Sequence, residues 1–409
     1  MRHYALLGEK LGHSYSVPIH EAIFQRTGWA AEYRLIEIPR GELSTRMAVL
    51  RQELDGCNVT IPYKQEIMPL LDEISPFARQ VGAVNTVQFA AGRACGYNTD
   101  VEGFRAMLEQ QGIDPAGKPA YVMGTGGASR AAVTALHDMG AAQVVLVSRH
   151  PAGEEISYDR LAEVGTGVLV NCTPAGMYPH EEGCPLTAAQ LAAVLPRLTG
   201  VADMIYHPAE TVLTRAAKAV GVNACTGLYM LIHQAVAAEE RFFNRSIPAG
   251  ENERILVQLR REMTNLILIG MPGSGKTTVG EALSRLTGRE AVDLDQMIET
   301  TAGCSIPEIF QREGESGFRA RERAAAEEAG KRTGVILLTG GGIIKTAENY
   351  AALHQNGRIY QLVRDLSLLP TEGRPLSQGA DLAAMWRERA PLYARFRDVE
   401  IDNSGTVED

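Results

Sequence analysis

Cysteine is scarce in this sequence, and its spacing matches no metal or redox motif. Six cysteines occur among 409 residues without a CxxC pair: Cys57, Cys95, Cys172, Cys184, Cys225 and Cys304. This pattern argues against a disulfide framework and a structural zinc site, and it indicates reduced thiols. The nine histidines likewise lack the HExxH spacing of a zinc protease.

Excess positive charge and long apolar runs are missing too. Lys and Arg number 40 against 49 Asp and Glu, a formal net charge of −9, which argues against a phosphate-backbone binder. The N-terminus meets Glu9 and Lys10 before a signal-peptide core can form. The most apolar later stretch, 227–238, is interrupted by His233 and Gln234. We expect a soluble cytoplasmic protein with small-molecule substrates and neither a nucleic-acid nor a membrane partner, and leave a homo-oligomer open.

The chain is long and alternates strand-like with helix-like segments. At about 100–200 residues per domain, 409 residues predict two or three domains. Strand-like runs occur at 4–7, 121–123, 144–147, 168–170, 266–269, 335–338 and 359–362. Helical stretches between most of them predict an α/β fold with parallel sheets. The clearest break is 244–263, where a Pro-Ala-Gly segment precedes a charged, helix-prone stretch.

A phosphate-binding loop follows the strand-like run 266–269. Residues 270–277 read GMPGSGKT, which satisfies GxxxxGK[ST] between a strand and a helix. Glycines let successive N–H groups face an anion at a helix N-terminus. Lys276 reaches the outer phosphates, and the Thr277 hydroxyl ligates Mg²⁺. The alternative is a glycine-rich turn that binds nothing. The predicted ATP-binding loop residues are Gly273, Ser274, Gly275, Lys276, Thr277 and Thr278.

Four features behind this loop indicate the phosphate acceptor. They are the carboxylates Asp293 and Asp295, the GESGFR segment 314–319, the GGG segment 340–342, and GRPL at 373–376 followed by ERAPLY at 388–393. Singly, each is compatible with a turn, a cap or a surface arginine. In this order they resemble shikimate kinase over nearly all of 264–402. The resemblance implies a nucleoside-monophosphate-kinase-like P-loop fold with a parallel sheet that uses ATP and Mg²⁺.

The kinase resemblance also implies residue roles. Asp295 holds the shikimate hydroxyls and orients the attacking one, while Arg319 and Arg389 bind the carboxylate. A guanidinium offers a planar fork that matches a carboxylate. The remaining implied roles are Gly341 near the ring, Asp293 supporting Mg²⁺, and Arg374 on a lid over the phosphates. The segment 363–375 is shorter than usual in the family, and the lid motif reads RPLS.

A second nucleotide site is indicated upstream. The segment GTGGA at 124–128 follows the strand-like run 121–123 and opens a helix, which suits a pyrophosphate. After the next strand, Ser148 and Arg149 stand where an NAD enzyme carries an acid. A cation there favours the 2′-phosphate of NADPH. The alternative is a surface arginine.

Four polar segments surround this nucleotide motif: GHSYS at 12–16, GCNVTIPYK at 56–64, GAVNT at 82–86 and GYNTD at 96–100. Each has an ordinary alternative as a turn, an N-cap or a solvated lysine. Together with 171–177, 203–206 and 227–234 they resemble shikimate dehydrogenase over about 1–245. If the first segment is extended, the hydroxyls of Ser14 and Ser16 face one way.

The dehydrogenase resemblance implies an NADPH-dependent reduction of 3-dehydroshikimate. Lys64 and Asp100 form the catalytic pair, and a lysine held against a carboxylate can stabilise the developing alkoxide and deliver the proton. Which of the two gives the proton stays open. The substrate residues are Ser14 and Ser16 for the carboxylate, and Thr60, Asn85, Tyr206 and Gln234 for the hydroxyls. The NADPH residues are Gly124, Thr125, Gly126, Gly127, Ala128, Ser148, Arg149, Met204 and Gly227.

The two resemblances predict one bifunctional enzyme, because the product of one domain is the substrate of the other. The predicted order is a substrate domain at 1–102 completed by a helix at 226–245, a Rossmann-like domain at 103–225, a linker at 246–263 and a P-loop domain at 264–409. The family's proline after the second serine comes one place late, at Pro18, and 149–171 is short for a Rossmann half. A quinate-type dehydrogenase and a nucleotide-sensing regulator are the alternatives.

Arg149 generates the first testable prediction. Arg149→Asp should weaken NADPH binding far more than NADH binding, by at most about 3 kcal/mol, since one charged hydrogen-bonding partner is lost. The dissociation constants of both cofactors, measured by fluorescence titration, check this. An unchanged cofactor preference would contradict the assignment.

Overall fold

The computed structural model describes residues 1–12, 14–368 and 382–405. The chain forms two compact units, Met1–Leu259 and Arg260–Asp409. All seven predicted strands are present, with ends that differ by at most two residues from those expected. Across the described residues, no helix has both the length and the apolar character needed to cross a membrane. The six cysteines are free thiols.

A mixed sheet organises the first part of the N-terminal unit. Its strands are β1 (Arg2–Gly8), β2 (Ala31–Glu37), β3 (Gly56–Val59), β4 (Glu73–Ile74), β5 (Thr86–Ala90) and β6 (Arg93–Tyr97). Their spatial order is β2-β1-β3-β5-β6-β4. Strand β1 runs parallel to both neighbours, whereas β5 is antiparallel to β3 and β6. The helices are α1 (Ser16–Thr27), α2 (Leu43–Glu53), α3 (Tyr63–Glu66), α4 (Pro76–Val81) and α5 (Asp100–Gln111).

Both faces of this sheet are buried. In β1, Tyr4 and Leu6 pack into one apolar cluster, and Ala5 and Leu7 pack into another on the opposite face. Alternation of side chains along a strand requires this division. It explains why the sequence reads here as a continuous apolar run rather than as an alternating one.

A parallel sheet forms the second part of the unit. Its strands are β7 (Pro119–Met123), β8 (Gln143–Ser148), β9 (Ile156–Ser157), β10 (Gly167–Asn171), β11 (Leu198–Asp203) and β12 (Ala224–Thr226). The order is β12-β11-β10-β7-β8-β9. The helices are α6 (Gly127–Asp138), α7 (Ala188–Val194), α8 (Val212–Ala219) and α9 (Leu228–Phe243). Between β8 and β10, where the sequence is short, the structure has only β9 and a 3₁₀ turn at 158–163.

Helix α9 returns from the parallel sheet to the mixed one and packs on α5 and α1. The contact with α5 is close at Gly103, where a Cβ atom would lie 2.7 Å from the Met230 carbonyl oxygen and 3.1 Å from Gln234 Cβ. A glycine is therefore needed at this crossing. The close approach of α9 to α5 at Gly103 brings Gln234 towards the N-terminus of α5.

The C-terminal unit has a five-stranded parallel sheet. The predicted linker contains a helix, α10 (Glu251–Met263), and the boundary between the two units falls within it. The strands of the C-terminal sheet are β13 (Asn265–Ile269), β14 (Ala291–Asp293), β15 (Ile336–Leu338), β16 (Gly357–Val363) and β17 (Val399–Asp402). The order is β14-β15-β13-β16-β17. The helices are α11 (Lys276–Thr287), α12 (Leu294–Ala302), α13 (Ile306–Gly330), α14 (Glu348–His354) and α15 (Leu382–Phe396). Central β13 therefore delivers the phosphate-binding loop to the carboxyl edge of the sheet.

The Gly103 crossing generates a stability prediction. Gly103→Val should lower the free energy of unfolding by about 1–3 kcal/mol, because the new side chain overpacks against a backbone oxygen. Gly165→Val is the matched control, since a Cβ at Gly165 would meet nothing within 4 Å. In scanning calorimetry of the full chain, Gly103→Val should move one unfolding transition to lower temperature. Gly165→Val should move no transition. Equal melting of the two variants would contradict the packing constraint.

Candidate active sites

An ion pair lies where α3 meets α5. Lys64 Nζ is 2.7 Å from Asp100 Oδ2, and the two side chains are 21% and 9% exposed. Asp100 opens α5, and its backbone N–H donates to Asn98 Oδ1 at 3.1 Å. The ammonium is thus held at one point and partly shielded from water. A charge placed in this way can stabilise negative charge that develops on a bound molecule.

Two more predicted side chains reach this pair. Asn85 Nδ2 donates to Asp100 Oδ1 at 3.0 Å and to Gln234 Oε1 at 3.3 Å. The Asn85 Oδ1 atom accepts the Thr99 N–H at 2.8 Å. Four predicted residues from α3, the start of β5, α5 and α9 therefore form one connected polar cluster.

The predicted carboxylate-binding serines lie at the start of α1. Ser14 Oγ donates to Ser16 Oγ at 3.0 Å. The extended conformation considered for this segment is wrong at Ser16, which is the first residue of α1. The hydroxyls still converge, at a helix end that favours an anion.

Tyr206 and Thr60 sit in loops that follow strands. The Tyr206 ring lies edge-on to Tyr15 with centroids 5.8 Å apart, and burial raises the pKa of the Tyr206 hydroxyl. Thr60 follows β3, and its N–H donates to Leu7 O at 2.9 Å. No side-chain hydrogen bond of the described residues joins either one to the Lys64 cluster.

The predicted NADPH loop links β7 to α6. Gly124 has φ +102° and donates its N–H to Val147 O at 3.0 Å, which makes the tight turn. Gly126 precedes α6, and Cβ atoms added at Gly126 or Gly127 would meet nothing within 4 Å. This open helix N-terminus fits a pyrophosphate.

The other predicted NADPH residues surround the same sheet edge. Ser148 ends β8, and exposed Arg149 follows it. Gly227 packs directly on Met204, since a Cβ there would lie 2.3 Å from the Met204 carbonyl oxygen.

Asp203 was not predicted as a site residue, yet it ties this sheet edge together. Its carboxylate accepts from Asn171 Nδ2 at 3.0 Å and from Thr211 Oγ1 at 2.9 Å. Burial raises the pKa of Asp203 to about 7, although these hydrogen bonds oppose the shift. The ends of β10 and β11, which lead into the predicted cofactor and substrate loops, are therefore joined.

The phosphate-binding loop has the backbone that the motif predicts. Gly270, Gly273 and Gly275 have φ of +153°, +87° and +92°. Lys276 Nζ lies over the loop, donating to Gly270 O at 2.9 Å and to the neighbouring carbonyl at 3.0 Å. From the end of β17, Asn403 Nδ2 donates to Ser274 O at 2.7 Å. The loop is a cradle for phosphate.

Thr277 and Asp293 are the two residues predicted to help hold Mg²⁺ at this loop. Thr277 is an exposed residue of the first turn of α11. Asp293 ends β14, and its Oδ1 accepts the N–H groups of Asp295 and Gln296 at 2.9 and 3.3 Å. No group of three His, Cys, Asp or Glu side chains in the described part of the chain could cage a metal. Mg²⁺ in nucleotide sites usually takes one or two protein ligands together with phosphates and water, so this pair fits.

The predicted carboxylate-binding arginines come from α13 and α15. Arg389 Nη1 donates to Gly341 O at 3.0 Å, and the Tyr393 hydroxyl donates to the same oxygen at 2.7 Å. The Arg319 guanidinium lies against the glycine loop, where a Cβ at Gly342 would be 2.6 Å from its nitrogens. The loop that contains Gly341 thus bonds Arg389 and leaves room for Arg319.

Two carboxyl groups face these arginines. Burial and then Asp293 raise the pKa of Asp295, while Lys276 and Arg319 lower it. Glu322, which is 2% exposed, bonds Arg319 Nη1 at 2.7 Å, and burial raises the pKa of its carboxyl. Glu322 is not among the predicted site residues, although its position three residues after Arg319 on a helix indicates the pair.

Known protein families match both units. Residues 272–409 match the shikimate kinase family, and 6–87 match the shikimate dehydrogenase substrate binding domain. The shikimate dehydrogenase (NADP(+)) of Symbiobacterium thermophilum is 38% identical over 265 aligned residues, covering 59% of this chain and 89% of that protein. The chain belongs to the shikimate dehydrogenase family. Its C-terminal unit carries a shikimate kinase domain, so both predicted memberships are confirmed.

Solved structures resemble the dehydrogenase unit. A chorismate mutase/shikimate 5-dehydrogenase fusion protein from Clostridium acetobutylicum is 39% identical, with a TM-score of 0.60 over 63% of this chain and 97% of that one. Shikimate 5-dehydrogenase from Thermus thermophilus, solved with NADP(H) and shikimate, is 31% identical, with a TM-score of 0.57 over 63% of this chain and 99% of that one. The chain therefore carries an NADP-type shikimate dehydrogenase and a shikimate kinase, both of the shikimate pathway.

One predicted residue of the shikimate kinase domain has no structural description. Arg374, expected on the lid, lies in 369–381, outside the described residues. Its role stays a prediction.

The arginine pair generates a prediction for the kinase. Arg389→Ala should raise the shikimate KM or abolish turnover while ATP binding survives, because its predicted target is the substrate carboxylate. Nucleotide affinity measured by calorimetry, together with shikimate saturation curves, checks this. Arg387→Ala, on the exposed side of the same helix, is the control. Lost ATP affinity with normal shikimate affinity would contradict the assignment.

Proposed function

We propose that the N-terminal unit reduces 3-dehydroshikimate to shikimate and that the C-terminal unit phosphorylates shikimate at its 3-hydroxyl. The observation that carries the first reaction is the joined cluster of Lys64, Asp100, Asn85 and Gln234. It combines one cation with hydrogen-bonding groups suited to a polyhydroxylated ring. The carboxylate of that substrate binds Ser14 and Ser16 at the start of α1.

Lys64 is the group that acts on the substrate carbonyl. NADPH supplies the hydride when bound. As the carbonyl oxygen gains negative charge, the Lys64 ammonium stabilises it and can donate a proton. Asp100 holds Lys64 in place and accepts from the neighbouring substrate hydroxyl. Thr60, Tyr206 and Gln234 orient the ring. The Gly227 and Met204 backbones would line the cofactor site.

The choice of NADPH rests on Arg149. Its side chain is exposed after the end of β8, the parallel neighbour of β7, and the carboxyl end of β7 leads into α6. A guanidinium at this position can bind the 2′-phosphate that distinguishes NADPH from NADH. Residues 124–128 would hold the pyrophosphate.

The kinase reaction depends on positioning and positive charge. Lys276 and the loop N–H groups hold the ATP phosphates, and Thr277 with Asp293 supports Mg²⁺, which neutralises phosphate charge. Arg319 and Arg389 bind the shikimate carboxylate. Asp295 then orients the attacking hydroxyl, and its raised pKa suits a carboxyl that accepts a proton late in transfer.

Single substitutions should separate the two activities. Lys64→Ala should lower the dehydrogenase kcat at least about a hundredfold, through lost charge stabilisation, and leave the kinase rate on added shikimate near normal. Lys276→Ala should silence the kinase by removing the phosphate-facing charge, while NADPH oxidation continues and shikimate accumulates. Each variant is assayed for both reactions.

The control for these variants is folding. Circular dichroism and thermal unfolding should match those of the unaltered enzyme. If a well-folded variant lost both activities, the two reactions would share a site, and the assignment of one reaction to each unit would be wrong.

A further inference from the structure

A buried polar cluster lies behind the dehydrogenase site, and none of its members is among the predicted site residues. His20 of α1 and Glu239 of α9 are 1% and 0% exposed, with His20 Nδ1 2.6 Å from Glu239 Oε1. The His20 ring stacks on Tyr33 of β2, with centroids 3.7 Å apart and an interplanar angle of 7°. Burying three such side chains is unfavourable unless each is held by a partner.

The Tyr33 hydroxyl is the end of this cluster that faces the site. It donates to Asn58 Oδ1 at 2.9 Å. Burial, followed by the charge of Glu239, raises the pKa of Tyr33 well above its usual value, so the hydroxyl keeps its proton and can donate. A donor at Oδ1 fixes the orientation of the Asn58 amide.

The orientation of Asn58 determines the bonds that follow. Its Nδ2 donates to Thr86 Oγ1 at 3.1 Å and to Asn85 O at 3.3 Å. Thr86 Oγ1 donates in turn to Asn85 Oδ1 at 3.1 Å. Because Asn85 Oδ1 accepts from this hydroxyl and from the Thr99 N–H at 2.8 Å, Asn85 Nδ2 is directed to Asp100 Oδ1, at 3.0 Å. Every donor points the same way, towards a carboxylate that only accepts.

Water cannot easily replace a member of this series. Asn58, Asn85 and Thr86 are 4%, 2% and 0% exposed. A reversed Asn85 amide would place its carbonyl oxygen against the Asp100 carboxylate, which is unfavourable in a buried site. The donor at the start of the series therefore reinforces the amide orientation at its end.

We propose that Tyr33 is a positioning residue of the dehydrogenase. Its hydroxyl, held in place by the stack on His20, orients the Asn58 amide and through it reinforces, together with the Thr99 N–H, the Asn85 amide that holds Asp100 against Lys64. This inference rests on the proposed roles of Asn85 and Asp100.

The test is Tyr33→Phe, which keeps the ring and its stack and removes only the donor. The dehydrogenase kcat should fall about three- to tenfold, as expected for one neutral hydrogen bond, with the NADPH KM unchanged. Tyr4→Phe is the matched control: Tyr4 pairs with Tyr33 in register on β1, is 0% exposed, and faces Arg2 with its hydroxyl. It should leave kcat unchanged.

A second comparison separates positioning from a general loss of structure. Rates are normalised to the active fraction, which is counted by NADPH binding. In an Asn58→Leu background, Tyr33→Phe should have no further effect on kcat, because its partner is gone. If the two substitutions lowered kcat by independent factors that multiply in the double variant, the inference would be overturned. An unchanged kcat in Tyr33→Phe would overturn it too.

Asp100→Asn distinguishes this inference from the proposed function beneath it. If Asp100→Asn is inactive while Tyr33→Phe is normal, only the role of Tyr33 is wrong. If Asp100→Asn itself is fully active, the proposed catalytic pair is wrong.

Discussion

The dehydrogenase site depends on holding a lysine ammonium 2.7 Å from a nearly buried carboxylate. Such a pair is favourable only when the remaining lone pairs of the carboxylate find donors. Asn85 provides one, and the Asp100 backbone is fixed by Asn98. These partners come from separate helices and strands. The pair therefore requires the mixed sheet to be complete and α9 to return onto it.

The kinase site meets a similar constraint with two cations and two carboxyl groups. Arg319 and Arg389 are held beside Asp295 and Glu322, and burial alone would disfavour all four charges. The glycine loop permits the arrangement, because Gly342 leaves room for the Arg319 guanidinium and the Gly341 carbonyl oxygen accepts from Arg389. A carboxylate substrate would add an acceptor to guanidinium groups that are already oriented.

Much of this arrangement follows from the sequence. The buried strands appear as apolar runs, and the phosphate-binding loop has fixed spacing. Strands outside the seven apolar runs were not predicted, among them β2, β5, β6 and β11 as well as the two-residue strands β4 and β9. Only one residue of β2 is fully buried, and strands as short as β4 and β9 carry little apolar pattern. The contact of His20 with Glu239 joins residues 219 positions apart, and no local pattern marks it. An extended segment would make the hydroxyls of Ser14 and Ser16 face one way, but Ser16 begins α1. The two hydroxyls instead meet at the start of this helix.

In the proposed function, one chain performs two consecutive reactions at two separate sites. The most direct measurement is one incubation of the full chain with 3-dehydroshikimate, NADPH, ATP and Mg²⁺, in which NADPH loss and ADP formation are followed together. ADP should appear after a lag, approach one equivalent per NADPH oxidised, and be absent when NADPH is omitted. ADP formation that is independent of NADPH, or NADPH loss with no ADP at any time, would contradict the claim.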